Sequence, residues 1–172
     1  MALLRAVNVG GTGKLPMSEL KAMCEEAGFT SVQTYIASGN VVFASNLTEA
    51  NVKSELEKRL QSYAGKPVGV MVRTAAEIAA VLNHNPFPDA PGNLIVAIFL
   101  DHKPPADAIE QARNRTNEEI RLGARELYVF YPTGQGQSNL TIAAAKQGTA
   151  RNMNTVAKLA QLAARAISPT RS

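Results

Sequence analysis

The order of residue patterns in the first half of the chain constrains the fold more than any other feature of the sequence. Four short stretches have the composition and alternation of β-strands, and two longer stretches repeat apolar residues at helical spacing. The predicted strands cover residues 2–9, 31–36, 40–44 and 68–72, and the predicted helices cover residues 17–27 and 48–63. The resulting order, β-α-β-β-α-β, is that of the ferredoxin-like unit.

Local signals support these elements and add one more helix. Thr48 is the expected N-cap of the second helix, and the Gly-Lys-Pro sequence at 65–67 ends that helix. Thr74 and Glu77 have the spacing of a capping box, which predicts a further helix to about Asn83.

A Pro-rich stretch at 85–93, which we interpret as a linker, separates this half from the second half. The second half repeats the same order of predicted strands and helices. In the second half, predicted strands cover 94–100, 118–122, 126–131 and 149–152, and predicted helices cover 105–113, 139–147 and 155–167. We therefore predict an α+β protein with two tandem ferredoxin-like subdomains, at 1–84 and 94–172, each with an additional helix.

Four segments carry a family resemblance. They read ALLRAVNVGG at 2–11, YIASGNVVF at 35–43, GQSNLT at 136–141 and TARNMNTV at 149–156. In this order they resemble the signature segments of the domain of unknown function 1697 family. The resemblance implies an α+β fold with two ferredoxin-like subdomains and a bacterial, cytoplasmic protein of uncharacterised function. It implies no established activity, cofactor or catalytic residue.

The chain departs from the family pattern at three positions. Relatives often carry a basic residue at the positions of Gln137 and Asn139, and an aromatic residue at the position of Met153. If the family uses that charge to bind an anion, this member either binds the anion more weakly or uses Arg151 instead. Loss of the aromatic side chain weakens any role in base stacking.

Charge is segregated along the chain. From Leu127 to Ser172 there is no Asp or Glu, and this segment accounts for the whole formal net charge of +4. Its basic residues are Lys146, Arg151, Lys158, Arg165 and Arg171. Positive charge beside a Gly-rich turn at 132–139 favours an anionic partner.

No apolar run approaches the roughly 20 residues that span a bilayer. A lone Cys excludes an internal disulfide and fits a reducing cytoplasm.

A Gly-rich loop from Gly10 and Gly11 to Lys14 lies between the first predicted strand and helix. The phosphate-binding P-loop requires Gly at position 8 and Ser or Thr at position 15, where this chain has Asn8 and Leu15, so a P-loop is excluded. Two interpretations stay open: a turn that needs the backbone freedom of Gly, and a loop whose amides bind an anion.

The C-terminal segment holds the second candidate region. Gly134 and Gly136 free the backbone of the turn, and Ser138 or Asn139 can cap the predicted helix that follows. Further donors, Arg151, Asn152 and Asn154, lie at the start of the last predicted helix, where the dipole is positive. The alternatives are a solvated basic helix face with Asn154 as its N-cap, or an anion-binding cleft between the two halves.

Other chemistry is poorly supported. Arg5 lies among apolar neighbours in a predicted strand, so we expect its guanidinium either to form a structural ion pair or to face a cleft. Ser38 and Asn40 belong first to a hairpin turn, and no His lies near Ser38 to act as a base. The two His residues form no metal-ligand spacing, and Cys24 on an apolar helix face predicts a buried, inert thiol.

Three functional hypotheses follow from these patterns. The first is a binding protein for an anionic, phosphate-bearing ligand at the interface of the two halves; the others are an enzyme that uses Arg and backbone-amide electrostatics, and a nucleic-acid-binding module. The candidate ligand-binding residues are Arg5, Asn8, Gly10, Gly11, Lys14, Ser38, Asn40, Gly134, Gly136, Ser138, Arg151, Asn152 and Asn154. No catalytic motif, cofactor or metal is predicted. We expect a cytoplasmic monomer or weak homodimer.

Overall fold

The computed structural model describes residues 1–9 and 13–167. Within them the chain is a mixed α+β protein with two four-stranded antiparallel sheets and four α-helices. Contacts divide it into two compact units. The N-terminal unit contains Met1–Glu77 and the chain from Leu159 onwards, and the C-terminal unit contains Ile78–Lys158.

The N-terminal unit follows the predicted order of elements. They are β1 (Ala2–Leu4), α1 (Met17–Glu26), β2 (Thr30–Tyr35), β3 (Asn40–Ala44), α2 (Glu49–Ala64) and β4 (Val70–Val72), followed by α3 (Ala75–Asn83), which continues into the C-terminal unit. The strand order in the sheet is β2-β3-β1-β4, and every pair is antiparallel.

Helices α1 and α2 cover one face of this sheet because their apolar residues recur at helical spacing. Leu20 and Cys24 of α1, and Leu56 and Leu60 of α2, are buried in one cluster with side chains from β1, β3 and β4. The predicted N-cap of α2 is confirmed, since Thr48 accepts a hydrogen bond from the backbone of Asn51. Each fully buried Leu contributes about 1.5–3 kcal/mol to folding.

Strand β1 ends earlier than the sequence pattern predicts. The alternating pattern extends to residue 9, but the strand stops at Leu4. Ala6 and Asn8 adopt φ angles of 51° and 55°, in the left-handed region. That conformation turns the chain out of the sheet, and residues 5–9 become part of a loop instead of a strand.

The C-terminal unit repeats the strand order of the first sheet. Its strands are β5 (Ile95–Phe99), β6 (Glu119–Leu122), β7 (Glu126–Phe130) and β8 (Thr149–Asn152). The last helix, α4 (Met153–Ile167), begins in this unit and continues into the N-terminal unit from Leu159. The sheet order is β6-β7-β5-β8, again antiparallel throughout. One face is buried in a cluster with apolar residues from the connections, among them Ala108, Leu140 and Ile142.

Two predicted helices of this unit are wrong. Residues 105–113 form turns, and of residues 139–147 only Ala143–Gln147 forms a short 3-10 helix. Arg113 and Thr141 exchange two backbone hydrogen bonds of 2.9 Å, in an isolated bridge between the two connections. These bonds use backbone groups that a longer helix would need.

The Pro-rich stretch interpreted as a linker, residues 85–93, lies inside the C-terminal unit. Phe87 packs on Phe130 of β7, with ring centroids 5.7 Å apart, and Tyr131 donates a backbone hydrogen bond to Leu94. The division by contacts instead falls within α3, between Glu77 and Ile78.

Candidate functional site

Asn8 organises the loop that follows β1. Its side-chain amide donates to the carbonyl oxygens of Leu15 (2.9 Å) and Ala37 (2.8 Å), and its Oδ1 accepts from the backbone N–H of Leu15 (2.7 Å). These hydrogen bonds connect Asn8 and Leu15, which flank the Gly-rich segment, to each other and to the β2–β3 turn. Asn8 positions the loop, because its hydrogen-bonding groups already have protein partners.

Ser38 and Asn40 also have structural roles. Asn40 is fully buried, and its Nδ2 donates to the carbonyl of Tyr35 and to Oγ of Ser38, both at 2.9 Å. Gly39 between them has φ 87°, and its carbonyl accepts from the backbone N–H of Leu4. This turn closes against β1, which agrees with the hairpin interpretation of these residues.

A cationic cavity of about 480 Å³ lies in the N-terminal unit beside the loop after β1. Arg5, Lys14 and Lys66 line it, together with Gly13, whose φ is 90°. The apolar part of its wall comes from Val7, Leu15, Leu60, Tyr63 and Val68. None of the described residues that line this cavity is acidic. The structure therefore brings together two of the predicted site residues, Arg5 and Lys14.

Lys66 is the residue that sequence reasoning missed. It follows Gly65, the C-cap of α2, which has a left-handed conformation with φ 70°. The signal was present, since a helix-ending Gly next to a basic residue places that side chain at the helix terminus. Gly10 and Gly11 lie outside the described residues.

A larger concavity, of about 770 Å³, lies along the exposed face of α2. Its wall contains both Lys53 and Glu57, whose charged groups are 3.0 Å apart. The charges of Lys53 and Glu57 offset each other, so Lys58 supplies the one remaining positive charge of this wall. The smaller cavity with three cations is the stronger candidate.

The Gly-rich turn of the C-terminal unit is built around a carboxylate. Ser138 donates a short hydrogen bond from Oγ to Glu118 Oε1, and Thr116 N–H donates to Oε2 at 2.7 Å. The hydrogen bond from Ser138, followed by that from the backbone of Thr116, lowers the pKa of Glu118 from 4.5 to about 2. Gly134 provides a φ of 90°, and Gly136 lies in a 3-10 turn, Gln135–Gln137. A negative charge at this turn opposes the binding of a second anion.

Arg151 lies on β8 and is buried, with only 7% of its surface exposed. Its Nη1 donates to Thr149 Oγ1 (2.7 Å) and to the carbonyl of Ala150 (2.9 Å). Burial lowers the pKa of its guanidinium from 12.5 to about 10. Arg151 pairs across the sheet with Ala97, whose neighbours Val96 and Ile98 belong to the buried cluster on the opposite face. Arg151 therefore points away from the face that Leu140 and Ile142 cover.

The predicted basic stripe and cap at the last helix need correction. Arg151 is in a strand, so it is not part of a basic face of α4, the helix that carries Lys158 and Arg165. The N-cap is Asn152, whose Oδ1 accepts from the backbone N–H of Thr155 at 2.9 Å. Asn154, predicted as the cap, lies one residue inside α4 instead.

Catalytic and stacking groups are scarce in the described part of the chain. Burial raises the pKa of the Cys24 thiol to about 12, which agrees with the predicted inert side chain. No group of three or more His, Cys, Asp or Glu side chains is arranged to hold a metal ion among the residues described. Phe43, Tyr128 and Tyr131 are buried in the strands or just after them, where they contribute to cores.

Fold and site together define an α+β protein with two four-stranded antiparallel sheets of the same strand order and a cationic cavity in its N-terminal unit. The chain belongs to the family described as "Protein of unknown function (DUF1697)", whose model matches residues 1–128. This confirms the resemblance inferred from the four segments.

The chain is also similar to a solved structure, that of the conserved bacterial protein SP0830 from Streptococcus pneumoniae. The two share 21% sequence identity with a TM-score of 0.75, over 94% of this chain and 96% of the other. At this identity the likeness concerns the fold. No curated protein is detectably similar to the chain. None of its described helices combines the length and the apolar character needed to cross a bilayer.

Proposed function

We propose that this protein binds an anionic, phosphate-bearing small molecule in the cationic cavity of its N-terminal unit. The observation that carries the proposal is the charge of the wall: Arg5, Lys14 and Lys66 line one cavity, and none of its described lining residues is acidic. A dianionic phosphate in this cavity would be attracted by these positive charges and accept charge-assisted hydrogen bonds from them.

The size of the cavity supports a small molecule. Its volume of about 480 Å³ is within the range of roughly 300–1,000 Å³ that is usual for ligand pockets. Helix α2 ends at Ala64 in the wall, so the negative end of its dipole opposes an anion. That end is equivalent to about half an elementary charge, which three full positive charges outweigh.

This proposal differs in place from the sequence-based hypothesis of a cleft between the two halves. It draws on Arg5 and Lys14, which that hypothesis included, and on Lys66, which it did not. The shared strand order supports the further proposal that each sheet belongs to a ferredoxin-like unit, the second with turns in place of crossover helices. A cytoplasmic monomer or weak homodimer is proposed on the sequence argument alone.

Calorimetric titration with inorganic phosphate, pyrophosphate and AMP at low ionic strength tests the proposal. We expect Lys66→Ala to weaken binding of the best of these anions by about tenfold, since hydrogen bonds to charged groups contribute roughly 1.5–3 kcal/mol. Lys103→Ala is the matched control, because Lys103 is exposed and does not line the cavity. The proposal fails if none of the three anions binds, or if both variants bind as the wild-type protein does.

A further inference from the structure

A second hollow of about 620 Å³ adjoins the cationic cavity. The two share Gly13, Lys14 and Leu15 in their walls, so a single stretch of backbone borders both. The remainder of the second wall is uncharged, and its apolar side chains come from Val9, Leu15, Pro16, Met17 and Ala37. Both hollows therefore have apolar walls, but the first is lined by three cations and the second by Lys14 alone.

The wall between the two hollows is held in place by Asn8. Its three hydrogen bonds fix Leu15 on one side and Ala37 on the other, although Asn8 itself has φ 55°. Asn adopts the left-handed region more readily than most residues because its short polar side chain can form local hydrogen bonds. Here those hydrogen bonds hold Leu15 and Ala37 in place and keep both hollows next to one another.

Two apolar side chains near this wall are exposed to solvent. Val9, which lines the second hollow, is 54% exposed, and Ile36, beside Ala37, is 49% exposed with φ 51°. A β-branched residue rarely adopts this conformation. Exposed apolar surface around a hollow favours a ligand that carries an apolar group.

We infer that the ligand is a soluble anionic amphiphile, a monoalkyl or acyl phosphate. Its phosphate would occupy the cationic cavity, and its chain would cross Gly13–Leu15 into the apolar hollow. The inference rests on the proposed function and extends it, because the cationic cavity alone would accept any small anion. It draws on the charge difference between two adjacent hollows that share Lys14.

Methyl phosphate and hexyl phosphate are suitable probes, because they carry the same anionic group and differ in chain length alone. We expect hexyl phosphate to bind at least about tenfold more tightly, which corresponds to the burial of roughly two methylene groups. Val9→Asn should remove most of that advantage and leave the affinity for methyl phosphate unchanged. Lys66→Ala should weaken the binding of both phosphates.

Two controls complete the calorimetric experiment. Leu122→Asn alters a 37% exposed apolar residue on β6, outside both hollows, and should change neither affinity. Hexanol, which has the chain without the phosphate, should bind at least about tenfold more weakly than hexyl phosphate, because it lacks the charge-assisted hydrogen bonds.

The outcomes separate this inference from the proposed function. If methyl and hexyl phosphate bind equally and Lys66→Ala weakens both, the amphiphile is excluded and the anion site stands. If neither phosphate binds and the anion panel also fails, both proposals are wrong. Sedimentation with phosphatidic acid vesicles, without binding of hexyl phosphate, would show recognition of a lipid surface and would overturn the soluble ligand.

Discussion

The two Gly-bearing turns of this protein look alike in sequence and differ in what surrounds them. In the N-terminal unit, Gly13 stands beside a cavity whose described wall has three cations and no carboxylate. In the C-terminal unit, Gly134 and Ser138 close around the buried carboxylate of Glu118. Glycine content and local basic composition therefore do not identify an anion site. Whether a turn can bind an anion depends on the charged groups that already form hydrogen bonds with it.

Arg151 accounts for one of the basic residues of the acid-free C-terminal segment. Arg151 is buried and donates to Thr149 and Ala150, so one of the positive charges there has a structural role. Arg73, next to β4 in the first sheet, is similarly buried and donates from Nη1 to the carbonyl of Val72. Each of these arginines is followed at once by the N-cap of a helix, Thr74 or Asn152.

Replacing Gly39 of the β2–β3 turn and Gly134 of the C-terminal turn should give the largest difference between the two units. A Cβ atom at Gly39 would lie 2.6 Å from Val7 Cγ2 and 2.8 Å from Leu4 Cβ, whereas one at Gly134 would meet nothing within 4 Å. Both glycines have a positive φ, of 87° and 90°. We expect Gly39→Ala to lower the free energy of unfolding by about 2–4 kcal/mol and Gly134→Ala by about 1–2 kcal/mol.

Urea denaturation followed by circular dichroism measures both variants. Because the backbone conformation is matched, the difference between them reports the close approach of Gly39 to β1. Equal losses of stability would mean that the β2–β3 turn can move away from Leu4 and Val7 at little cost, and the turn would not hold Ala37 rigidly in the wall of the second hollow.

The carboxylate of the C-terminal turn should make stability depend on acid pH. The pKa of Glu118 is about 2 in the folded protein against an ordinary 4.5, so its contribution is present above pH 4.5 and is lost as the pH falls towards 2. Ser138→Ala removes the largest cause of that shift. We expect this variant to be less stable than wild type at neutral pH, and the part of the difference that acts through Glu118 to shrink as the pH falls towards 2. The hydrogen bond from Leu140 N–H to Ser138 Oγ is lost at every pH and leaves a constant remainder.

Denaturation midpoints between pH 2 and pH 7 provide the measurement. Glu118→Gln should flatten the profile over the same interval. Ser62→Ala is the control, because Ser62 Oγ donates to the backbone carbonyl of Lys58 and has no carboxylate partner. A loss in Ser138→Ala that stays constant with pH would show that the hydroxyl acts through packing and not through Glu118.

Much of the N-terminal unit could be predicted because its signals are local. The helical spacing of Leu56 and Leu60, the cap at Thr48 and the capping box of Thr74 with Glu77 each depend on residues a few positions apart. Such short-range chemistry is visible in a sequence. The edge strand Thr149–Asn152 was predicted with its observed bounds for the same reason.

The features that escaped prediction depend on contacts between distant residues. Arg113 and Thr141 form a bridge across 28 positions, which replaces two predicted helices. Glu118 and Ser138 are 20 positions apart, so the sequence of the turn did not show its carboxylate partner. Lys66 joins Arg5 and Lys14 only because α2 and β4 return the chain to β1.

The smallest expected effect separates the two asparagines at the start of α4. Asn152 caps the helix through Oδ1, whereas Asn154 lies within the first turn beside Gly92. We expect Asn152→Ala to lower the free energy of unfolding by about 1 kcal/mol, the usual value of a lost N-cap. Asn154→Ala should have a smaller effect, since Ala is the better helix former at an interior position.

The two variants differ by two positions and are compared by urea denaturation under identical conditions. A larger loss in Asn154→Ala would return the cap to the position that the sequence first indicated, and the resemblance between the starts of α3 and α4, each capped directly after a buried Arg, would no longer hold.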